Sequence, residues 1–232
     1  MPEEFCKNCG EHLADRAEFC SYCGQSLKEF SRPWLEFARE SLAELTDFDG
    51  RMMQSMRLLL TKPGFLSREY IYGRRVAHTP PIRMYLVISL VFFFVLPLIL
   101  PESSVANPEH EFSVDLYSKG MFILLPIFAL LLKLFYRRYF YIDHLVFTAH
   151  LFSAMFIVFA VLLATESLAD RYTLVMLGQV IVTAYMVAYL VVALRANYSE
   201  GWLKSTFKFL GLMLTFLPIL GWTIDLASHA GP

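Results

Sequence analysis

Long apolar runs dominate the second half of the sequence, whereas most charged residues lie before Arg83. Each run is about long enough to cross roughly 30 Å of hydrocarbon as an α-helix. Pro97, Pro126 and Pro218 lie inside three of the runs and are expected to kink those helices. The pattern predicts an all-α membrane protein with about five transmembrane helices, at residues 84–100, 121–136, 145–164, 172–194 and 207–226.

A shorter amphipathic pattern precedes these runs, with apolar residues at three- and four-residue intervals. Ser31 can cap its start, residues 47–50 (DFDG) interrupt it and residues 62–64 (KPG) end it, so we expect two helices. Two interpretations fit the apolar face: an interfacial helix pair on the inner leaflet, or packing against the membrane helices or the N-terminal module. The apolar positions are Trp34, Ala38, Leu42, Leu45, Phe48, Met52, Met56 and Leu59.

Basic residues predict the orientation of the spans, because Lys and Arg close to a span are retained in the cytoplasm. Between residues 51 and 83 there are seven basic residues and one acidic residue. The second and fourth connections between spans are also basic, whereas the first and third carry one basic residue each. This alternation predicts a multi-pass protein of the inner (cytoplasmic) membrane, with its N-terminus in the cytoplasm and its C-terminus outside.

The basic segment before the first span also suits contact with anionic lipid head groups. The candidate contacts are Arg68, Arg74, Arg75 and Arg83. The simpler interpretation is that these residues only determine topology, and the sequence alone favours that interpretation.

All four cysteines fall in two Cys-x-x-Cys pairs near the N-terminus: Cys6 with Cys9, and Cys20 with Cys23. Four thiolates in two such pairs suit one tetrahedral ion. The glycine after each pair permits a tight turn whose N–H groups can point at sulfur. We expect structural Zn²⁺, with iron as the minor alternative. Two disulfides are disfavoured because thiols stay reduced in the cytoplasm.

A site closed by four thiolates leaves no position open for water or substrate, so the metal is expected to fold the module and not to catalyse. His12 lies between the pairs and could compete as a ligand, but a surface position is favoured. Nucleic acid is an unfavourable partner, because two basic residues face three acidic ones between Cys6 and Cys23. The expected domains are a zinc-ribbon knuckle (1–28), an amphipathic and basic juxtamembrane segment (29–83) and a polytopic membrane domain (84–232).

Polar residues at the start of the third predicted span form a candidate intramembrane site, because polar groups in spans are costly. Asp143 and His150 fall on nearly one helical face, and His144 is one turn from Thr148. A proton relay or ion site could use them. The favoured alternative is that Asp143 and His144 lie at the wet inner boundary and that His150 bonds to a neighbouring helix.

Several separated motifs resemble a family of bacterial membrane proteins grouped as domain of unknown function 3667. The resemblance implies a zinc ribbon joined to a multi-helix membrane domain, and it implies no established activity. The motifs are residues 5–10 (FCKNCG), 19–25 (FCSYCGQ), 61–64 (TKPG), 70–75 (YIYGRR) and 144–150 (HLVFTAH).

Catalytic signatures are missing from the sequence: it has no phosphate-cradling glycine loop, no His-Glu-x-x-His helix and no nucleophile-elbow serine. We therefore expect a non-enzymatic membrane protein whose ribbon recruits or senses an unknown cytoplasmic or membrane protein. The alternative is a small transporter or channel regulated by the ribbon. Five spans are few for a monomeric carrier, so the alternative predicts a homo-oligomer.

Overall fold

The computed structural model describes residues 4–14, 17–27, 50–99, 108–169 and 171–229. Within these ranges it describes all side chains except those of residues 108–119, 167 and 224–229. Most of the predicted amphipathic pattern, including Ser31, Trp34 and Phe48, lies outside the described residues. The last part of the pattern, from Gly50 to Leu59, lies inside them.

Seven helices are present in the described part of the chain. None of the described ranges contains an extended strand, because the ribbon has only isolated β-bridges. The helices are α1 (Gly50–Thr61), α2 (Phe65–Ile71), α3 (Pro81–Ile99), α4 (Pro108–Phe135), α5 (Tyr141–Ala169), α6 (Thr173–Tyr198) and α7 (Trp202–His229).

Four described helices are long and apolar enough to cross a membrane, namely the stretches Pro81–Ile99, Tyr141–Glu166, Thr173–Tyr198 and Trp202–Thr223. The predicted span at 121–136 lies in α4, whose apolar part with described side chains, Gly120–Phe135, is shorter. Pro97, Pro126 and Pro218 lie inside α3, α4 and α7. The all-α, multi-span fold predicted from the sequence is confirmed, with four spans found and about five predicted.

Helix α5 is the centre of the bundle and packs against α3, α4 and α6. Phe147 and Ala154 on this helix are almost completely buried, and Phe152 contacts the ring of Phe128 on α4. Contacts of α7 with α4 and α6 complete the arrangement. The outer faces carry large exposed apolar side chains such as Phe94 and Leu174. Such faces suit hydrocarbon, because soluble domains rarely expose apolar surface so continuously.

The connections α4–α5 and α6–α7 meet at one end of the bundle, which we call the basic end. The rings of Tyr136 and Tyr198 stack there with their centroids 3.8 Å apart. The Tyr139 hydroxyl donates to the carbonyl of Tyr198 at 3.1 Å. The two connections predicted to be basic and cytoplasmic therefore lie side by side.

Helices α1 and α2 form a hairpin that packs against α5 and α6 at the basic end. The Tyr189 hydroxyl on α6 donates to the carbonyl of Leu59 at 2.8 Å, and the Tyr185 hydroxyl donates to that of Leu60. These carbonyls belong to the last turn of α1, where no intrahelical partner is available. In residues 50–61, the described part of the predicted pattern, Met52 and Leu59 are buried in the same apolar core as the membrane helices, as the packing interpretation predicts.

Candidate metal centre

The two cysteine pairs belong to a nine-residue repeat, FCKNCGEHL at 5–13 and FCSYCGQSL at 19–27. Each copy folds into a knuckle with the same backbone bonds. In the first knuckle Cys6 N donates to Glu11 O at 2.8 Å, and in the second Cys20 N donates to Gln25 O at 2.8 Å. Bridges Phe5–His12 and Phe19–Ser26 close the two knuckles equivalently. Sequence reasoning recognised the cysteine spacing but missed the longer repeat.

A glycine in the left-handed region follows each pair, with φ of 78° at Gly10 and 71° at Gly24. A side chain would be strained at these angles, since left-handed backbone brings Cβ against the following carbonyl. Each glycine N–H donates to the carbonyl of the first cysteine of its pair, at 2.8 and 2.9 Å. The turn brings both sulfurs of a pair to the same side.

The four sulfurs form one compact cluster, all within 4.8 Å of one another. The cysteines are free, with Cys6 Sγ 3.7 Å from Cys23 Sγ and Cys9 Sγ 3.6 Å from Cys20 Sγ. Metal–sulfur bonds of about 2.3 Å in a regular tetrahedron place neighbouring sulfurs about 3.8 Å apart. The arrangement therefore fits a tetrahedral ion held by Cys6, Cys9, Cys20 and Cys23.

Backbone N–H groups near the sulfurs favour the thiolate form, which is the form that binds a metal. Those of Cys23 and Tyr22 lower the pKa of the Cys20 thiol to about 7, against an opposing effect of desolvation. The N–H of Glu11 favours the Cys9 thiolate, yet desolvation and the neighbouring sulfurs together raise the pKa of Cys9 to about 12. The sulfurs of Cys9 and Cys20 thus share protons within the cluster, and a divalent cation would replace those protons when the four thiols bind it.

The ribbon's own apolar core is very small. Its buried members are Cys6, Leu13 and Cys20, with Cys23 and Leu27 partly buried against them. Three of these five residues are themselves metal ligands. Because so little apolar surface is removed from water, the module needs the metal as its main source of folding free energy.

The second knuckle docks onto the connection between α2 and α3 through Gln25. Its Nε2 donates to the carbonyl of Gly73 at 2.6 Å, and its Oε1 accepts from the N–H of Arg75 at 3.2 Å. The side chain of Lys7 in the first knuckle lies beside the same connection, since a Cβ at Gly73 would be 2.9 Å from Lys7 Cδ. The ribbon is thus fixed beside the start of the first membrane helix.

Three aromatic side chains of the ribbon remain exposed, with Phe5 57%, Phe19 55% and Tyr22 78% accessible. Phe5 contacts the ring of His12 edge-on at 5.4 Å. His12 is exposed and does not belong to the sulfur cluster. The metal-folded module therefore presents aromatic surface to its surroundings.

The four candidate head-group arginines have different environments. Arg74 pairs with Glu69, with Nε 2.5 Å from Oε2 and Nη2 2.7 Å from Oε1. Arg75 lies over the ring of Tyr70, 5.2 Å from its centroid. Arg68 is partly exposed, whereas Arg83 is 4% exposed. The burial of Arg83 leaves Arg68, Arg74 and Arg75 as the positions from which lipid could be reached.

The three candidate polar residues of α5, Asp143, His144 and His150, each have a different hydrogen-bond partner. Asp143 Oδ2 accepts from the N–H of Phe140 at 2.9 Å, which satisfies a free donor at the start of α5. His144 is fully buried, and its Nδ1 lies 2.6 Å from the hydroxyl of Tyr198 on α6. Thr148 Oγ1 donates to the carbonyl of His144 at 2.8 Å.

His150 bonds to the α1–α2 hairpin and not to Asp143 or His144. Its Nδ1 lies 3.0 Å from Ser67 Oγ on α2, and both residues are buried. A cavity of about 10 Å³ lies beside this pair, lined also by Lys62, Gly64 and Tyr189. That volume accommodates about one water molecule.

Three residues that position these sites were missed in the sequence: Gln25, Ser67 and Tyr198. Ser67 and Tyr198 are 83 and 54 residues from their histidine partners, and no local pattern links such distant positions. For Gln25 a signal does exist, because it occupies the position in the second repeat that Glu11 occupies in the first.

Two family profiles match parts of the chain. A zinc-ribbon domain matches residues 5–27, and the family described as protein of unknown function (DUF3667) matches residues 49–93. Both confirm the resemblance inferred from the motifs, of which HLVFTAH at 144–150 lies outside either match. Neither a curated protein nor a solved structure matches the chain. The chain is thus similar to a zinc-ribbon domain over residues 5–27 and to that family of unknown function over residues 49–93, and its four clustered cysteines support a structural metal site.

Proposed function

We propose that this chain is a non-enzymatic protein of the bacterial inner membrane whose zinc-folded ribbon recruits or senses a protein partner. The observation that carries the proposal is the sulfur cluster, in which four cysteines occupy every position of a tetrahedral site. A closed site of this kind folds a module and offers no position to a substrate. Zn²⁺ is favoured over iron because it is the common ion of short, paired-cysteine ribbons.

The exposed aromatic side chains of the ribbon support a recruiting role. Phe5, Phe19 and Tyr22 are each more than half accessible, although the ribbon has almost no apolar surface to spare for its own core. Aromatic residues are enriched at protein interfaces, where they supply much of the binding energy. A partner that covers these rings would be held beside the membrane, because Gln25 ties the ribbon to the α2–α3 connection.

The predicted orientation is consistent with a cytoplasmic ribbon. The ribbon contacts the α2–α3 connection, and the α1–α2 hairpin packs at the basic end of the bundle. Lys133, Arg137, Arg195 and Lys204 occupy or flank the connections at this end. Basic residues close to spans favour the cytoplasmic side, so we place the ribbon and the basic end together in the cytoplasm.

Contact with anionic lipid is an accessory part of the proposal. Arg68 is partly exposed, and Arg74 and Arg75 lie in the connection that leads into α3. Near the surface of an anionic leaflet each such residue contributes about 1 kcal/mol of attraction. Their pairing with Glu69 and Tyr70 would compete with lipid for Arg74 and Arg75.

The rival function, an oligomeric transporter or channel, would use His150 as a pathway residue. In the structure His150 bonds to Ser67, and the adjacent cavity of about 10 Å³ has room for one water but not for a larger solute. The transporter or channel stays the alternative proposal, and the flux assay described below tests it.

The experiment is quantitative co-purification from membranes with the full-length chain. Wild type is compared with three variants: Cys6→Ser/Cys9→Ser, Tyr22→Ala and His12→Ala. We expect the same partner to be lost from the first two and retained by His12→Ala, because His12 lies outside the sulfur cluster. Tyr22→Ala separates recognition from folding, since it removes an exposed ring and no ligand.

Recovery of the same proteins with all four chains would contradict the recruiting role. In that case reconstituted protein would be assayed for ion and solute flux, comparing wild type with His150→Ala. A flux abolished by the His150 substitution would establish the rival.

A further inference from the structure

The side-chain amide of Gln25 forms two hydrogen bonds with the backbone of the α2–α3 connection, one as donor and one as acceptor, as the backbone of a neighbouring strand would. Its amide donates to Gly73 O and accepts from Arg75 N, and Gln25 itself is 6% exposed. Gly73 has a φ of 91°, a conformation in which the connection can approach the ribbon closely. The equivalent side chain of the first knuckle, Glu11, is exposed. The two buried amide contacts with the connection are therefore made by the second knuckle, and the first knuckle contributes the side chain of Lys7 beside Gly73.

The connection from Tyr72 to Pro80 is held at both ends by buried side chains. Gln25 holds its first part, and the Ser55 hydroxyl on α1 accepts from the N–H of Thr79 at 3.0 Å near the other end. Ser55 belongs to the helical hairpin, whereas Gln25 belongs to the ribbon. The first anchor can therefore be lost without the second.

The position of Gln25 depends on the metal ligands around it. It directly follows Gly24, and its carbonyl accepts from the N–H of Cys20 at 2.8 Å. The sulfurs of Cys20 and Cys23 fix this turn only when both are held on one ion. Without the metal, only a few backbone hydrogen bonds and a very small apolar core would be left to maintain the turn among the described residues, so metal loss is expected to weaken it.

We propose that the second knuckle is a metal-dependent intramolecular latch on the Gly73–Arg75 turn. With the metal bound, Gln25 holds the turn against the ribbon. When the metal is lost the turn loses this anchor, and Arg74 and Arg75, although still in contact with Glu69 and Tyr70, become more accessible in the connection that leads into α3. The inference rests on the proposed function in one respect, since both require a metal-folded ribbon.

Trypsin cleavage of the purified full-length protein in detergent tests the latch, because trypsin cuts after Arg74 and Arg75. Cleavage after Arg137 and Arg138, in the α4–α5 connection, is the internal reference. The chains compared are wild type with zinc, wild type with a zinc chelator, Gln25→Ala and the matched control Glu11→Ala. Gln25→Glu is added because it retains the acceptor for Arg75 N but replaces the donor to Gly73 O.

We expect cleavage after Arg74 and Arg75, relative to the reference, to rise about tenfold in Gln25→Ala, the scale set by the loss of one or two net hydrogen bonds. Gln25→Glu and chelated wild type should show a similar rise, and Glu11→Ala should match wild type. Zinc content must stay unchanged in Gln25→Ala, so that the rise is not caused by an unfolded ribbon.

Equal cleavage of Gln25→Ala and Glu11→Ala would overturn the latch. A rise in Gln25→Ala without any effect of the chelator would overturn its dependence on the metal. Because no partner is present, either result leaves recruitment to be judged separately by co-purification.

Discussion

The hydroxyl of Tyr198 and the imidazole of His144 form a fully enclosed pair between α5 and α6, 2.6 Å apart. His144 is fully buried and Tyr198 is 2% exposed. The other ring nitrogen of His144, Nε2, has no hydrogen-bond partner among the described residues. The hydroxyl of Tyr198 is therefore the partner of a buried imidazole nitrogen, and its loss would leave Nδ1 desolvated without that hydrogen bond.

Replacing Tyr198 by Phe should lower the free energy of unfolding by about 1–3 kcal/mol, because His144 Nδ1 would be left buried and unpaired. The stacking of ring 198 on Tyr136 would be retained. Thermal unfolding in detergent measures the change. The matched control is Tyr141→Phe, whose exposed hydroxyl donates to Pro126 O at 3.1 Å and whose loss should cost less than about 1 kcal/mol. An equal decrease in unfolding free energy in the two variants would show that the buried His144–Tyr198 hydrogen bond stabilises the protein no more than an exposed one.

The role of a single residue was predictable where it depends only on residues nearby in sequence. The metal ligands follow from cysteine spacing, because two thiols three residues apart can reach one ion without any knowledge of the fold. His144 and His150 could be singled out as polar residues in a span, but their partners could not. Ser67 and Tyr198 come from other helices, so the pairs exist only after those helices have packed.

The hairpin of α1 and α2 illustrates the same limit for helices and turns. Periodicity identified an apolar face, and KPG at residues 62–64 correctly marked the end of α1, the second of the two predicted amphipathic helices. Helix α2 was not predicted. Whether the face met lipid or protein was open, because both accept apolar side chains. The deciding contacts are tertiary: Gly64 has a φ of 74°, and a Cβ there would lie 2.7 Å from Ala193 O on α6.

Replacing Gly64 by Ala should destabilise the protein by more than about 2 kcal/mol, since left-handed backbone alone costs an alanine about 1–2 kcal/mol. The clash with the α6 backbone adds to that cost. Gly178→Ala is the control, because Gly178 is helical with no heavy atom within 4 Å of the added Cβ. Its effect should stay within about 1 kcal/mol. Similar thermal stabilities for the two variants would mean that the hairpin does not pack on α6.

At the scale of the whole molecule, the membrane region has two different ends. The ribbon docks next to the α1–α2 hairpin, and the basic connections α4–α5 and α6–α7 meet at the same end. Hydropathy was sufficient to predict the long apolar helices, because lipid requires them whatever polar residues they contain. The docking of the ribbon was not predictable, since it depends on one glutamine and a glycine turn far apart in sequence.

Span number and orientation make a joint prediction about the C-terminus. Five spans with a cytoplasmic N-terminus place the C-terminus outside, whereas four place it inside. We predict five spans, counting the shorter apolar part of α4 with the four longer stretches, so a reporter enzyme that is active only outside the cytoplasm should be active when fused after Pro232. The same reporter inserted after Arg138, in the α4–α5 connection, should be inactive. An inactive C-terminal fusion that is expressed and membrane-bound would contradict the five-span topology.

The most direct test of the central claim is the metal content of the detergent-purified full-length chain, because recruitment and the latch both assume a metal-folded ribbon. We predict one zinc per chain in wild type and in His12→Ala, and none in Cys6→Ser/Cys9→Ser. A wild-type chain without zinc, or a cysteine variant that retains it, would contradict the account.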